Sequence, residues 1–218
     1  HRDLHSFPTR RSSDLKVIFI DNTVSKAKAQ SEEWCYEDGL TDYLTFATAV
    51  YETLPQEPFI GSIQGNDEAV DWAIQWLPDG GEVMAESYVN LIPTPLGGTH
   101  VGGLRTGLTD ALREFCEFRN LLPRGLKLSP DDVWGNCCYV LSSKLMDPQF
   151  SGQTKERLSS RQCTSFVGGV VKDEFSIWLN QHTDEAEVIA ELCISNAQSR
   201  LKDSKKVARK KEIGRAHV

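Results

Sequence analysis

Residues 97–120 read GGTHVGGLRTGLTDALREFCEFRN. From Leu104 the apolar residues Leu104, Leu108, Leu112 and Phe115 recur every three or four positions, and Leu122 extends the stripe. This spacing predicts a long helix over 104–120 with one buried face. The glycines that precede it match neither a dinucleotide fingerprint nor the Gly-Lys-Ser/Thr of a P-loop. They read instead as a sharp turn into the helix. What comes before has a period of two, so a sheet passes into a helix across a glycine-rich corner. The expected class is therefore α/β, in an α+β arrangement.

The upstream sheet is legible in Val70, Trp72, Ile74 and Trp76, which alternate with Ala69, Asp71, Ala73 and Gln75 as a strand with one buried face requires. Trp72 and Trp76 are expected in the core. Gly65-Asn66-Asp67 supplies the turn from a preceding strand over 59–64, and Pro78-Asp79-Gly80-Gly81 leads to a third strand over 86–92. Further back, 17–20 is a short apolar strand and 22–33 is polar and turn-like. Leu40, Tyr43, Leu44, Ala47 and Val50 predict a helix over 38–54, ended by Pro55 and Pro58.

Downstream, Ser129-Pro130-Asp131-Asp132 is a helix start with a Ser cap, Pro in the first turn and acids at the positive end. A buried strand follows over 137–143. Cys163, Phe166, Val167, Val170, Val171, Phe175 and Trp178 then mark an amphipathic helix ending near His182. Asp184 with Glu187 reads as a capping box for a final helix reaching 211.

The two ends, HRDLHSFPTRRSSDL (1–15) and EIGRAHV (212–218), read as in-frame translations of sequencing-library adapters, so the native stretch is expected to be 16–211. The ends hold four basic and three acidic residues, so removing them moves the net charge from −7 to −8. That acidity disfavours broad nucleic-acid binding by the body of the chain. No apolar run approaches the roughly 20 residues of a membrane helix, and no signal peptide is seen, so the expectation is no membrane partner and a cytoplasmic location. Cys35, Cys116, Cys137, Cys138, Cys163 and Cys193 include no Cys-x-x-Cys pair, and only His100 and His182 lie between the ends. No metal site is expected, and the cysteines read as reduced and structural, with Cys137-Cys138 on alternate faces of a strand. No nucleophile–base constellation emerges either.

One segment carries chemistry. Residues 147–160 read DPQFSGQTKERLSS, with Lys155 among Gly and small polar residues between a strand and a helix. A loop that presents one ammonium on a long stem can contribute a positive charge to a phosphate without building a pocket. The other candidate is the basic end of the final helix. There Lys202, Lys205, Lys206, Arg209 and Lys210 form either a solvated face or a contact with DNA phosphates.

The stretches EWCYEDGLTDYL, VNLIPTPLGGTHVGGLRTGLTDALREFCEFRNLLPRG, DPQFSGQTKERLSSRQC and VVKDEFSIWLNQ resemble the ATPase subunits of bacterial type II DNA topoisomerases, the B subunits of topoisomerase IV and DNA gyrase. The resemblance spans essentially all of 16–211, and the glycine–helix stretch is more similar to topoisomerase IV. Gly102 stands where an Asn is expected, and Gly135-Asn136 replaces a charged pair. The resemblance implies a transducer domain over 34–182, with the ribosomal protein S-five domain 2-like sandwich. It would be preceded by the end of a GHKL ATPase domain (16–33) and followed by a long helix toward the DNA gate (183–211).

The same resemblance implies that Lys155 is catalytic and, with Gln153, touches the γ-phosphate of ATP. ATP and Mg2+ would act in the full-length protein, with neither bound by this piece alone, which would be inactive by itself. It further implies a homodimer of B subunits, with the A subunits of topoisomerase IV and double-stranded DNA as partners, together with the upstream ATPase domain and a downstream acidic metal-binding domain. The location would be nucleoid-associated. Two alternatives stand beside this reading: a related GHKL ATPase of the mismatch-repair or chaperone type, and a non-enzymatic DNA-binding module.

Overall fold

In a computed structural model of the chain, residues 16–20 and 31–215 are described, the side chains of 32 and 205–215 excepted. The first expected tail, 1–15, and most of the expected linker lie outside the described residues. The strand expected at 17–20 is β1 (Val17–Ile20), and it pairs antiparallel with β2 (Ser31–Trp34). The polar stretch expected over 22–33 thus ends in a strand.

The main body is built on one five-stranded sheet. Its strands are β3 (Leu54–Gln64), β4 (Glu68–Trp76), β5 (Ala85–Val89), β6 (Ile92–Pro93) and β7 (Cys137–Leu145), in the order β3-β4-β7-β5-β6. Only β5 and β7 run parallel. The chain between them contains α2 (Thr99–Phe118) and α3 (Pro130–Trp134), as a parallel connection needs a helical crossover. Two longer helices follow, α4 (Arg161–Gln181) and α5 (Thr183–Arg215).

The alternation in β4 holds, and Val70, Trp72, Ile74 and Trp76 enter the larger core with Leu104, Leu108 and Leu112 of α2 and Val167, Val171 and Phe175 of α4. The opposite face is not solvated throughout. Ala73 and Gln75 are also buried, because α1 (Leu40–Thr48) covers that face and closes a second core from Tyr43, Leu44, Ala73, Leu77, Tyr88, Cys138 and Val140. Gln75 is tolerated there because its amide donates to Thr53 Oγ1, Pro55 O and Gln56 O and its oxygen accepts from Thr48 Oγ1. The vicinal cysteines divide as a strand requires, Cys137 into the larger core and Cys138 into the smaller.

Several boundaries differ from the sequence reading. α1 ends at Thr48, its buried face includes Thr48 and not Ala47, Val50 lies exposed beyond its end, and Leu54 already belongs to β3. The strand expected over 86–92 is a hairpin, β5 and β6, turned by Asn90 and Leu91 at positive φ. α2 begins at Thr99, so Gly102 and Gly103 lie inside the helix rather than at a corner. Their positions separate two roles. A Cβ on Gly103 would sit 2.7 Å from Thr164 O, and one on Gly107 2.6 Å from Gly168 O, so these two let α2 and α4 pack backbone to backbone. A Cβ on Gly102 would meet nothing within 4 Å, so the departure at that position from the expected Asn leaves the packing untouched.

The helix start at 129–132 is as expected: Ser129 N and Oγ both donate to Asp132 Oδ2, at 2.6 and 2.8 Å. At the start of α5 the expected box is replaced. Glu187 accepts from Arg119 Nη1 at 2.7 Å, tying α5 to the end of α2.

Candidate functional site

β7 ends at Leu145, and the chain then makes a small hairpin whose base is pinned on three sides. Residues 149–151 pair with 157–159: Ser151 N donates to Arg157 O at 2.9 Å, and Ser159 N to Gln149 O at 2.8 Å. Ser160, the residue before α4, spends its hydroxyl on the hairpin, accepting from Gln149 N at 2.8 Å. The return arm also lies against 96–99. Leu96 N donates to Glu156 O (3.1 Å), Leu158 N to Gly97 O (3.0 Å) and Thr99 N to Leu158 O (3.1 Å). Leu158 is the apolar anchor, buried in the main core with Phe150 packed at its edge. Burying such a side chain stabilises by about 1.5–3 kcal/mol, which fixes the base while leaving the tip in water.

The fit at the base explains the glycine pair. Gly98 has φ +136°, and a Cβ there would lie 2.2 Å from Leu158 O and 2.6 Å from Leu158 N. Only glycine lets the arm approach this closely. The sequence reading of this pair as a turn missed that contact.

The tip, 151–157, is exposed and carries both candidate phosphate contacts, Gln153 and Lys155. Lys155 sits at φ +56°, uncommon for a residue with a side chain. Its ammonium lies 5.9 Å from the centre of the Phe150 ring, so the charge rests on the anchored base. Thr154 donates to Glu156 Oε2 across the tip at 3.1 Å. The arrangement offers the Lys155 ammonium and the Gln153 amide on a stiff support, with the Arg157 guanidinium exposed at the start of the return arm. It has no enclosing pocket of its own, so it can complete a phosphate site that other residues build.

Beneath this base is a buried polar chain. His100 is fully buried in the first turn of α2, and its Nε2 lies 3.1 Å from Thr94 Oγ1. Thr94 Oγ1 is 2.9 Å from Ser87 O and 2.7 Å from Ser87 Oγ, and Ser87 Oγ is 2.9 Å from Thr94 O. With the Thr94 proton given to Ser87 O, His100 donates from Nε2, and Nδ1 remains an unprotonated, unpaired acceptor. Burial pushes the imidazole pKa down to about 4, which keeps it neutral.

The second candidate region is on α5. Lys202 is exposed. Lys205, Lys206, Arg209 and Lys210 lie on α5, their side chains outside the described residues. Arg200, two residues before Lys202, is committed elsewhere: its Nε and Nη2 donate, each at 2.8 Å, to the two oxygens of buried Asp132. Burial works to raise the Asp132 pKa, but the Arg200 and Ser129 hydrogen bonds outweigh it and hold the carboxyl below its usual range. Asn196 donates to Asp132 O as well, so α5 is clamped to α3.

Among the described residues there is no group of three or more His, Cys, Asp or Glu able to hold a metal ion, and no helix long and apolar enough to cross a membrane.

This arrangement can be set beside known proteins. Residues 39–209 match the family model for DNA gyrase B. The chain is 65% identical over 197 residues to the B subunit of DNA topoisomerase 4 from Salmonella typhimurium, covering 90% of this chain and 31% of that protein. It thus spans about a third of the length of such relatives. The topoisomerase IV ATP binding domain of Francisella tularensis superposes with a TM-score of 0.70 at 41% identity, over 81% of this chain and 47% of that one. The 43K ATPase domain of Thermus thermophilus gyrase B has the same fold, with a TM-score of 0.74 over 90% of this chain and 51% of that one, at 24% identity. The chain belongs to the DNA gyrase B family, among the B subunits of bacterial type II DNA topoisomerases.

Proposed function

We propose that this segment is the transducer of an ATP-dependent topoisomerase IV, coupling ATP hydrolysis to DNA strand passage and hence to relaxation and decatenation. The observation that carries the reading is the pinned hairpin. It presents Lys155, at an uncommon backbone angle and beside Gln153, from a base anchored in the core. In this reading 16–33 closes the preceding GHKL ATPase domain, 34–182 forms the ribosomal protein S-five domain 2-like sandwich, and 183–211 leads toward the DNA gate. The nucleotide pocket and the Mg2+ ligand belong to the upstream domain. The acidic metal-binding domain, the A subunits, another B subunit and duplex DNA complete the assembly, in the cytoplasm at the nucleoid.

When bound upstream, ATP supplies the γ-phosphoryl group that passes to water. Lys155 donates a charge-assisted hydrogen bond to the oxygens where negative charge develops, and the Gln153 amide adds a neutral one. The tip loses this anchor once that charge has left, which frees the sheet and its helices to rotate against the upstream domain. Lys155 and Gln153 supply only part of a phosphate site, so the piece alone should neither bind ATP tightly nor hydrolyse it.

A graft tests the proposal. A Salmonella B chain in which this segment replaces its counterpart should, once assembled with the A subunits, retain ATP-dependent relaxation and decatenation. A graft that folds and hydrolyses ATP but passes no strand would contradict the transducer assignment.

A further inference from the structure

We propose that His100 is a positioning residue for Lys155, acting through Thr94 and the backbone of 96–99. The inference rests on the phosphate role proposed for Lys155. Three independent features support it. The return arm of the hairpin has no sheet of its own: its hydrogen bonds outside the hairpin run to Leu96, Gly97 and Thr99. That receiving segment is held from below by the buried His100–Thr94–Ser87 side-chain contacts, which reinforce the backbone bond from Thr94 N to Ser87 O (2.8 Å) at the end of the β5–β6 hairpin. And the approach of arm to segment is already at its limit, since Gly98 leaves no room for even a methyl group against Leu158. A contact this tight transmits displacement rather than absorbing it. A shift of Thr94 or of the first turn of α2 must move Leu158, and with it the tip three residues away.

The chemistry of His100 fits positioning better than simple filling. A leucine would fill the space without a polar partner, whereas the imidazole spends one nitrogen on Thr94 and leaves the other unsatisfied in the core. Displacement of about 1 Å at a catalytic group can cost on the order of 10²-fold in rate, so a modest loosening should be visible in turnover.

The test begins with this chain. His100→Leu removes the donor, while His100→Gln keeps a donor near the position of Nε2. Amide hydrogen exchange at Leu96 and Leu158 should rise at least about tenfold in His100→Leu and stay near wild type in His100→Gln, with the amides shared by β4 and β7 unchanged. Should His100→Leu fail to fold, Thr94→Val breaks the same bond from its other end at nearly constant volume, together with the Thr94 hydroxyl's bonds to Ser87.

In the grafted full-length protein, His100→Leu should lower kcat for ATP about tenfold, with KM within about twofold, and His100→Gln should restore it. Combined with Lys155→Ala it should cost nothing beyond Lys155→Ala alone. Exchange that is unchanged, or accelerated equally throughout the sheet, would overturn the inference, as would losses from His100→Leu and Lys155→Ala that multiply. If Lys155→Ala alone leaves kcat within about twofold, the phosphate reading itself has failed and the inference falls with it.

Discussion

The buried imidazole of His100 gives the protein a specific response to acid. Its folded pKa is near 4 against an unfolded value of 6.5, because burial disfavours the charged ring. Above pH 6.5 both states are neutral and stability is undiminished by this group. Between pH 6.5 and 4 the unfolded chain binds a proton that the folded chain refuses, so stability falls as pH falls, by up to about 1.4 kcal/mol per pH unit. Urea unfolding at pH 7.5 and pH 5 should therefore show wild type losing about 2 kcal/mol more than His100→Gln on acidification. Parallel losses in the two proteins would mean that the ring is not buried as described. His100 and its partner Thr94 could not be found by pattern alone. A histidine beside glycines carries no period, and its meaning depends on a strand, β5, that lies nearby only after folding. Lys155 is the opposite case: its place in a polar, glycine-containing loop between a strand and a helix was readable, and the structure adds the backbone angle and the anchored base.

At the scale of elements, the α2–α4 pair is held close by glycine. Gly103→Ala and Gly107→Ala must push one helix backbone off the other and should each destabilise by about 1–3 kcal/mol. Gly102→Ala, whose Cβ would enter open space on the same helix, should instead stabilise by about 0.5–1 kcal/mol through the lower entropy of its unfolded chain. Thermal unfolding of the three variants checks the contrast, and equal shifts would contradict the helix register. The same glycines show why the start of α2 was misread. In the sequence Gly102 and Gly103 signal a turn, whereas Gly103, like Gly107 further along the helix, marks where α4 comes close. Periodicity found β4 and the stripe of α2 because those faces point at a core that dominates their pattern. It missed the second core for a physical reason. Ala73 is too small and Gln75 too polar to announce burial, and both are explained only by the arrival of α1 and, for Gln75, by hydrogen bonds to Thr48 of α1 and to the chain at the start of β3. The hairpin at Asn90-Leu91 was hidden because Leu is a poor residue for positive φ.

At the scale of the molecule, α5 is clamped to the end of α2 by Arg119–Glu187 and to α3 by Arg200–Asp132, and the basic run lies past the last clamp. If that run touches DNA it does so through phosphates, without regard to sequence and with steep dependence on salt. Changing Lys202, Lys205, Lys206, Arg209 and Lys210 to Gln in the grafted protein should then reduce DNA-stimulated ATP hydrolysis and leave the basal rate near its starting value. Equal stimulation across a salt titration would mark the run as a solvated face. The central claim concerns the other end of the coupling, and ATP turnover by the grafted protein with Lys155→Ala measures it most directly. Loss of one preorganised donor to the developing charge should lower kcat by a factor on the order of 10² to 10³. The folding stability should change little, since an exposed lysine contributes little to it. A kcat within about twofold of the unmodified graft would contradict the account.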